Sequence, residues 1–269
     1  MAAGVGRVVV AMADPNPQVA GRGLAQLQAA GIKLEMGLME QAARELNLGF
    51  ISRMTRGRPW VRSKAAASLD GKTALANGVS QWITGPAARR DVQTWRAQSC
   101  AILTGIGTVL ADDPQMNVRE IETPRQPLRV IVDSQLRTPP SAKILRGGAL
   151  IVSVVEEAEK IQALLDAGAE VLVLPSADAQ VDLALLLELL AERGVNDLMV
   201  EAGATLSGAL LEAGLVDELV LYLAPMLLGD TARGLFALPA LSKMDERKNL
   251  SLRDVRQVGN DMRIIARVT

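Results

Sequence analysis

The sequence has no histidine and a single cysteine, Cys100. These two scarcities exclude more chemistry than any other feature of the composition. Neither a Ser–His–Asp nor a Cys–His triad can be assembled. A zinc site with histidine ligands is impossible, and one thiol cannot supply a cysteine-rich one, so no metal site is expected. No intrachain disulfide can form, which suits a reducing compartment. Proton transfer must rely on Asp, Glu, Lys, Tyr or water. Aromatic residues make up only 2% of the 269 positions, so the core must come mainly from Ala, Leu, Val and Ile. Few aromatics and a net charge of −1 also argue against nucleic acid, which needs stacking platforms or basic patches. No apolar run reaches the roughly 20 residues of a membrane span. The opening MAAGVGRVVV lacks the cationic start and long apolar stretch of a secretory signal. A soluble cytoplasmic protein without membrane contact is the expectation.

What is present is a globular composition, with 49% hydrophobic and 22% charged residues, long enough for one large or two smaller domains. Apolar strands alternate with helical stretches, the pattern of an α/β fold. Residues 7–12 read as a strand. Asp14-Pro15-Asn16-Pro17 opens a helix that runs to about Ala30 and stops at Gly31. Ile32–Met36 reads as a strand and Glu40–Arg53 as a helix. TRGRP at Thr55–Pro59 breaks the pattern, which suggests one domain over 1–57 and a second over 58–269.

In the second domain, Val61–Ser68 reads as a strand followed by a polar, glycine-spaced loop to Thr84. Thr84 caps a helix with Pro86 in its first turn and Ala88, Val92 and Trp95 on one face. Cys100–Thr104, Leu128–Asp133, Ala149–Val155, Glu170–Leu174 and Asp197–Glu201 read as strands. Helices are expected over Glu156–Ala167, Asp182–Arg193 and from Gly203 to Ala213, and late, partly antiparallel strands over Asp217–Ala224 and Met262–Val268.

Several of these strands run into glycine or polar residues. In an open α/β sheet, ligands sit at the carboxyl ends of the strands. If the strands ending at Thr104, Asp133 and Glu201 are parallel neighbours, their ends form one crevice. Glu201-Ala202-Gly203-Ala204-Thr205-Leu206-Ser207-Gly208-Ala209 leads from a strand through a glycine turn into a helix start. Backbone N–H groups and the helix dipole there suit a phosphate. The same residues also read as an ordinary turn capped by Thr205, and no GxGxxG is present. Gly105-Ile106-Gly107-Thr108 with Asp112-Asp113-Pro114 is similarly open: glycines allow close ligand approach and an Asp can accept from a ribose hydroxyl, or the segment is simply a turn. Arg96 and Arg119 suit a substrate phosphate, whereas Arg89 and Arg90 read as a solvated face. Lys64 interrupts a strand of small and apolar residues, so it is either at an edge or in a site. Cys100, Trp60 and Trp95 read as packing residues, while Trp82 can pack on a flat ligand.

Four ordered motifs carry a resemblance. They are Lys64 with Ser68-Leu69-Asp70-Gly71-Lys72-Thr73-Ala74, then Ser80-Gln81-Trp82-Ile83-Thr84, then Thr108–Pro114, then Glu201-Ala202-Gly203. Together they resemble the reductase domain of the bifunctional riboflavin biosynthesis proteins, which join a pyrimidine deaminase to a reductase. Gly214–Glu218 and Ala224-Pro225 fit as well. The resemblance implies a dihydrofolate-reductase-like mixed sheet flanked by helices. It also implies reduction of the ribosyl group of 5-amino-6-(5-phosphoribosylamino)uracil to ribityl by NADPH, and a homodimer. By motif position, Ala66, Trp82, Thr108, Asp112, Ser134 and the Gly203–Ala209 turn would touch NADPH. Ser80, Arg96, Met116, Arg119 and Glu201 would touch the substrate, and Lys64, Asp112 and Glu201 are the candidates for polarising or protonating it. Met116 and Ala204 depart from the family's more frequent aliphatic residue and proline. Ser134 and Arg137 are possible contacts for a cofactor 2′-phosphate.

Residues 3–54 resemble the tail end of the family's deaminase domain, which needs a His, two Cys and a Glu. With those ligands missing, 1–57 is expected to be a truncated remnant without deaminase activity, packed poorly or covered by a neighbouring chain. Two other readings compete with the riboflavin reductase. One is a related reductase of a pteridine or other ribosyl substrate, and the other is a non-catalytic association module.

Overall fold

The computed structural model describes residues 3–269; Met1 and Ala2, the first positions of the expected remnant, lie outside the described residues. Contacts group the chain into two units. One contains the chain up to Trp60 with Leu187–Asn196, and the other contains Val61–Leu186 with Asp197–Thr269.

The first unit holds β1 (Arg7–Val10), α1 (Arg22–Ala29), β2 (Lys33–Met36), α2 (Glu40–Leu46) and α3 (Leu48–Arg56). β1 and β2 pair in parallel, with Arg7 opposite Lys33. The helix expected from Asn16 starts later, because the Asn16 side chain accepts from the Gln18 N–H at 2.9 Å and closes a turn instead. The helix expected over Glu40–Arg53 breaks at Asn47, where φ is −123° and the side-chain amide donates to the Ala43 carbonyl. Ile32 is the one buried hydrophobic residue between 3 and 54, while Leu38, Met39 and Leu46 stand in solvent.

The remaining elements, in chain order, begin with β3 (Trp60–Ser68), β4 (Lys72–Ala74), α4 (Pro86–Gln98), β5 (Ala101–Gly105), α5 (Ile106–Asp112) and β6 (Leu128–Val132). β7 (Ala149–Ser153), α6 (Ala158–Asp166), β8 (Ala169–Val173), α7 (Leu183–Glu192), β9 (Asp197–Val200) and α8 (Ala204–Glu212) follow. The chain ends with β10 (Glu218–Ala224), β11 (Arg233–Gly234), β12 (Leu250–Val258) and β13 (Asp261–Val268).

Nine of these strands form one sheet in the order β12-β13-β10-β3-β9-β5-β6-β7-β8. β5 runs parallel to β9 and β6, β7 runs parallel to β6 and β8, and β10 runs parallel to β3. β13 runs antiparallel to β10 and β12, so the sheet is mixed, as expected. Val130, Ile131, Leu150, Ile151 and Val152 are fully buried, which explains their unbroken apolar runs: a parallel strand covered on both faces has no polar side. Ile102, Ile131, Ile151, Met199 and Tyr222 belong to one core with Ala88 and Val92 of α4.

Three elements depart from the sequence expectations. Residues 106–112, expected as a loop, form α5. The loop after β3 contains β4, which pairs with β11. β12 is an edge strand of mostly exposed residues, with a bulge between Leu252 and Asp254. No described helix is long and apolar enough to cross a membrane.

Candidate active site

β9 lies between β3 and β5, and β6 follows β5, so the strand ends suspected of sharing a crevice are neighbours. Val200 sits opposite Leu103, and the next residue, Glu201, donates its N–H to the Leu103 carbonyl at 2.9 Å. This carries the Glu201 side chain to the carboxyl end of the sheet, where it is only 8% exposed.

A buried carboxylate needs partners. Arg96, at the end of α4, donates from Nε to Oε1 at 2.6 Å and from Nη2 to Oε2 at 3.0 Å, a two-pronged pairing. Lys64 on β3 approaches Oε2 at 3.9 Å. Burial alone would raise the Glu201 pKa, but the charge and hydrogen bonds of Arg96, then the charges of Lys64 and Arg119, hold it below the ordinary carboxylate value. The same surroundings favour the Glu201 carboxylate but disfavour the Lys64 ammonium. Burial lowers its pKa, Arg96 adds to the lowering, and Glu201 opposes it. Arg96, whose burial disfavours its charge, is carried above its usual value by Glu201. Buried Arg96 and half-buried Lys64 thus share one buried anion.

The two glycine turns beside this cluster touch each other. A Cβ on Gly105 would lie 3.3 Å from the Leu206 side chain, and one on Gly203 would lie 4.0 Å from the Thr108 hydroxyl oxygen. Gly203, not Thr205, is the N-cap of α8, and no side chain caps the helix. The first-turn N–H groups of Ala204, Thr205 and Leu206 therefore have no side-chain cap, as at the starts of α1 to α6, and they are open to an anion. The rest of the expected turn is helix body. The Ser207 N–H is bonded to the Gly203 carbonyl, Ser207 and Gly208 are buried, and Ala209 is exposed. Gly208 has a packing role: a Cβ there would stand 2.3 Å from the Ala237 carbonyl oxygen.

The other expected site residues fall into two groups. Met116 is buried, and the Arg96 Nη2 lies 3.9 Å from its sulfur, while Arg96 Nη1 donates to the Asn117 carbonyl at 3.0 Å. Arg119 is exposed; its N–H donates to Gln93, and its guanidinium makes a 3.3 Å bond to the Asn117 side chain. These belong with Glu201. Ala66 is half-buried on β3 two residues beyond Lys64, and Thr108 is half-buried in the first turn of α5. Ser134 follows β6, where its carbonyl accepts from the Val154 N–H and the Ser153 hydroxyl. Ser80 is half-buried in the loop before α4. Asp112 stands exposed at the far end of α5, and no hydrogen bond or ion pair described joins it to Lys64, Arg96 or Glu201.

Two roles were not anticipated. Arg89, expected as a solvated cation, lies 4.5 Å from the Trp82 ring centroid and donates to the Thr84 carbonyl at 2.7 Å. It braces an indole that is itself 69% exposed. Tyr222, the sole tyrosine, is buried and donates its hydroxyl to Asp91. Burial, then the Asp91 hydrogen bond and charge, push its pKa far up, so it does not ionise near neutral pH. Among the described residues no group of three His, Cys, Asp or Glu side chains could hold a metal ion.

Comparison with known proteins fits this arrangement. The family described as RibD C-terminal domain matches residues 59–264. Riboflavin biosynthesis protein RibD of Escherichia coli (strain K12) is 47% identical over 276 residues, which cover 97% of this chain and 74% of that protein. Acinetobacter baumannii RibD (form 1) superposes with a TM-score of 0.90 at 44% identity, covering 100% of this chain and 74% of that one. The Thermotoga maritima diaminohydroxyphosphoribosylaminopyrimidine deaminase/5-amino-6-(5-phosphoribosylamino)uracil reductase superposes with a TM-score of 0.86 at 28% identity, covering 100% and 73%.

Proposed function

Because this chain belongs to the RibD family and carries its reductase domain, an oxidoreductase of riboflavin biosynthesis, we propose that it reduces the ribosyl group of 5-amino-6-(5-phosphoribosylamino)uracil to ribityl with NADPH. The observation that carries this is the buried Glu201–Arg96 pair with half-buried Lys64, beside the uncapped start of α8. A dinucleotide fits here. The N–H groups of Ala204, Thr205 and Leu206 suit its phosphates, side-chain-free Gly203 leaves room beside Thr108, and exposed Trp82 offers a flat face. Ala66, Asp112 and Ser134 complete the proposed cofactor contacts.

When bound, the nicotinamide supplies a hydride for C1 of the ring-opened sugar, and the protein's task is positioning and charge. Converting the C1=N bond of the opened substrate to an amine requires one hydride at carbon and one proton at nitrogen. Lys64 is the proton donor in this reading, because burial makes its ammonium a stronger acid than a solvated one. Glu201, fixed by Arg96, holds Lys64 and accepts from substrate hydroxyls. Asp112 is too poorly connected to this pair to share the role. Two cations facing one carboxylate leave positive charge for a phosphorylated substrate, which favours this reading over a pteridine. Exposed Arg119, less committed than Arg96, is the proposed phosphate contact, with Ser80 and Met116 lining the same substrate.

A homodimer is part of the proposal, supported by the apolar side chains that edge strand β12 exposes, Leu250, Leu252 and Val255. Deaminase chemistry is not assigned to this chain, which has no histidine and one cysteine. The test is loss of NADPH absorbance on adding the phosphoribosylaminouracil, with a pteridine as the comparison. Oxidation with the first and not the second supports the proposal. NADPH binding without oxidation by that substrate rejects it.

A further inference from the structure

We propose that Asp70 is a positioning residue for this site, holding the segment 226–238 as a strap whose far end fixes the first turn of α8. The inference rests on the assignment of that turn to the cofactor. Asp70 lies two residues beyond β3, the strand that carries Lys64 and Ala66. Its carboxylate accepts the N–H groups of Gly229 at 2.8 Å and Leu228 at 3.1 Å, and the Ser68 hydroxyl also donates to it. Ser68 is fully buried and its Oγ also accepts the Lys72 N–H at 3.0 Å, so the base of the pin is tied down by its own hydrogen bonds. The Leu69 N–H donates to the Met226 carbonyl at 2.9 Å, and Lys72 reaches the Asp230 carbonyl at 3.2 Å. Further along, β11 pairs with β4, with Arg233 opposite Ala74.

The strap then reaches α8. The Ala237 N–H donates to the Ala204 carbonyl at 3.0 Å, and the Ala237 backbone presses on Gly208 so closely that no Cβ fits between them. Ala204 belongs to the turn whose N–H groups face the proposed phosphate site. The segment buries little of itself, with Leu227 73% exposed, so discrete polar anchors must hold its position. Asp70 is the one carboxylate among the anchors described, and its pKa is lowered to about 2, first by the Ser68 hydroxyl and then by the Gly229 and Leu228 N–H groups. It stays ionised throughout the physiological range, so the strap is a fixed brace.

The bland alternative is that Asp70 only stabilises its own turn. Amide exchange and NADPH kinetics on the full chain separate the two. In Asp70→Ala, exchange at Leu228 and Gly229 rises under either reading, whereas the strap also predicts faster exchange at Ala237, 167 residues away in sequence by simple numbering. It predicts an NADPH KM raised about tenfold or more, since displacements on the order of 1 Å at a positioning contact cost up to about a hundredfold. Asp70→Asn, which keeps an acceptor oxygen, falls between wild type and Asp70→Ala, and it replaces Asp70→Ala if that variant does not fold. Gly208→Ala, pushing on the other end, raises the same KM. Unchanged Ala237 exchange together with an unchanged NADPH KM in the Asp70 variants overturns the strap. A wild type that never oxidises NADPH overturns the proposed reaction instead, and Ala237 exchange still decides whether the strap exists.

Discussion

Glu201→Gln is the sharpest single perturbation of the site. Glutamine keeps the shape and one acceptor for Arg96, but its NH2 replaces the oxygen that now accepts at 3.0 Å. It also leaves buried Arg96 and half-buried Lys64 without their shared counter-charge. Breaking a buried pair from one side costs roughly 3–5 kcal/mol. Arg96 retains its bond to the Asn117 carbonyl, so the lower end, about 3 kcal/mol, is expected. For a domain of this size that lowers the melting temperature by roughly 6–12 °C. Turnover should fall on the order of a hundredfold, the lower range for a misplaced acid–base group. NADPH binding should change far less, because α8 holds the proposed phosphate contacts. The pH profile supplies an independent sign. Glu201 raises the Lys64 pKa against burial, so its removal lets that pKa fall further. Lys64 acts as an acid only when protonated, so the alkaline loss of activity moves to lower pH. The double variant Arg96→Met/Glu201→Leu should regain part of the stability and remain inactive: removing both members of the Arg96–Glu201 pair is often neutral, but Lys64 still lacks its counter-charge. Thermal unfolding and steady-state kinetics read all of this. Wild-type turnover and melting in Glu201→Gln would refute the reasoning, as would an alkaline limb moving upward.

Two further substitutions or conditions and one exchange measurement test other parts of the account. Arg119→Ala should raise the substrate KM about tenfold or more, the loss of one charge-assisted contact of roughly 1.5–3 kcal/mol, with little change in melting because Arg119 is exposed; a dephosphorylated substrate should not feel the change. The folded pKa of Glu201 lies below its ordinary 4.5, so its stabilisation is full above that value and fades as pH falls beneath it; acid titration of Glu201→Gln should lack this component. Amides of residues 3–54 should exchange faster than those of β5, β6 and β7, since Ile32 is their one buried hydrophobic residue; uniformly strong protection in a monomer would contradict this.

Much of this site was readable from local pattern. Lys64 interrupts an apolar strand and Glu201 ends one, and a charge in such a position is either unfavourable or useful. The βα turns at Gly105 and Gly203 declared themselves by glycine after a strand. Pairing across the chain was not readable: Arg96 and Glu201 lie 105 residues apart, and no periodicity links them. α5 was missed because Ile106-Gly107-Thr108 carries a glycine between two β-branched residues, all weak helix formers that tertiary context overrides. β12 was missed because LSLRDVRQV mixes apolar and charged residues without clean alternation, as an edge strand with a bulge allows. The break at Asn47 was hidden because the apolar spacing continues across it, while the Asn47 side chain takes the Ala43 carbonyl and its backbone N–H turns to Arg44.

The central claim is direct reduction at C1 of the sugar in the crevice formed by Lys64, Glu201 and the start of α8. NADPH carrying deuterium at both C4 positions, turned over with 5-amino-6-(5-phosphoribosylamino)uracil and read by mass spectrometry of the product, tests it most directly. One deuterium is expected, at C1 of the ribityl chain, with its loss together with turnover in Lys64→Met. Product formed without deuterium at C1, or full labelling in Lys64→Met at the wild-type rate, would contradict it.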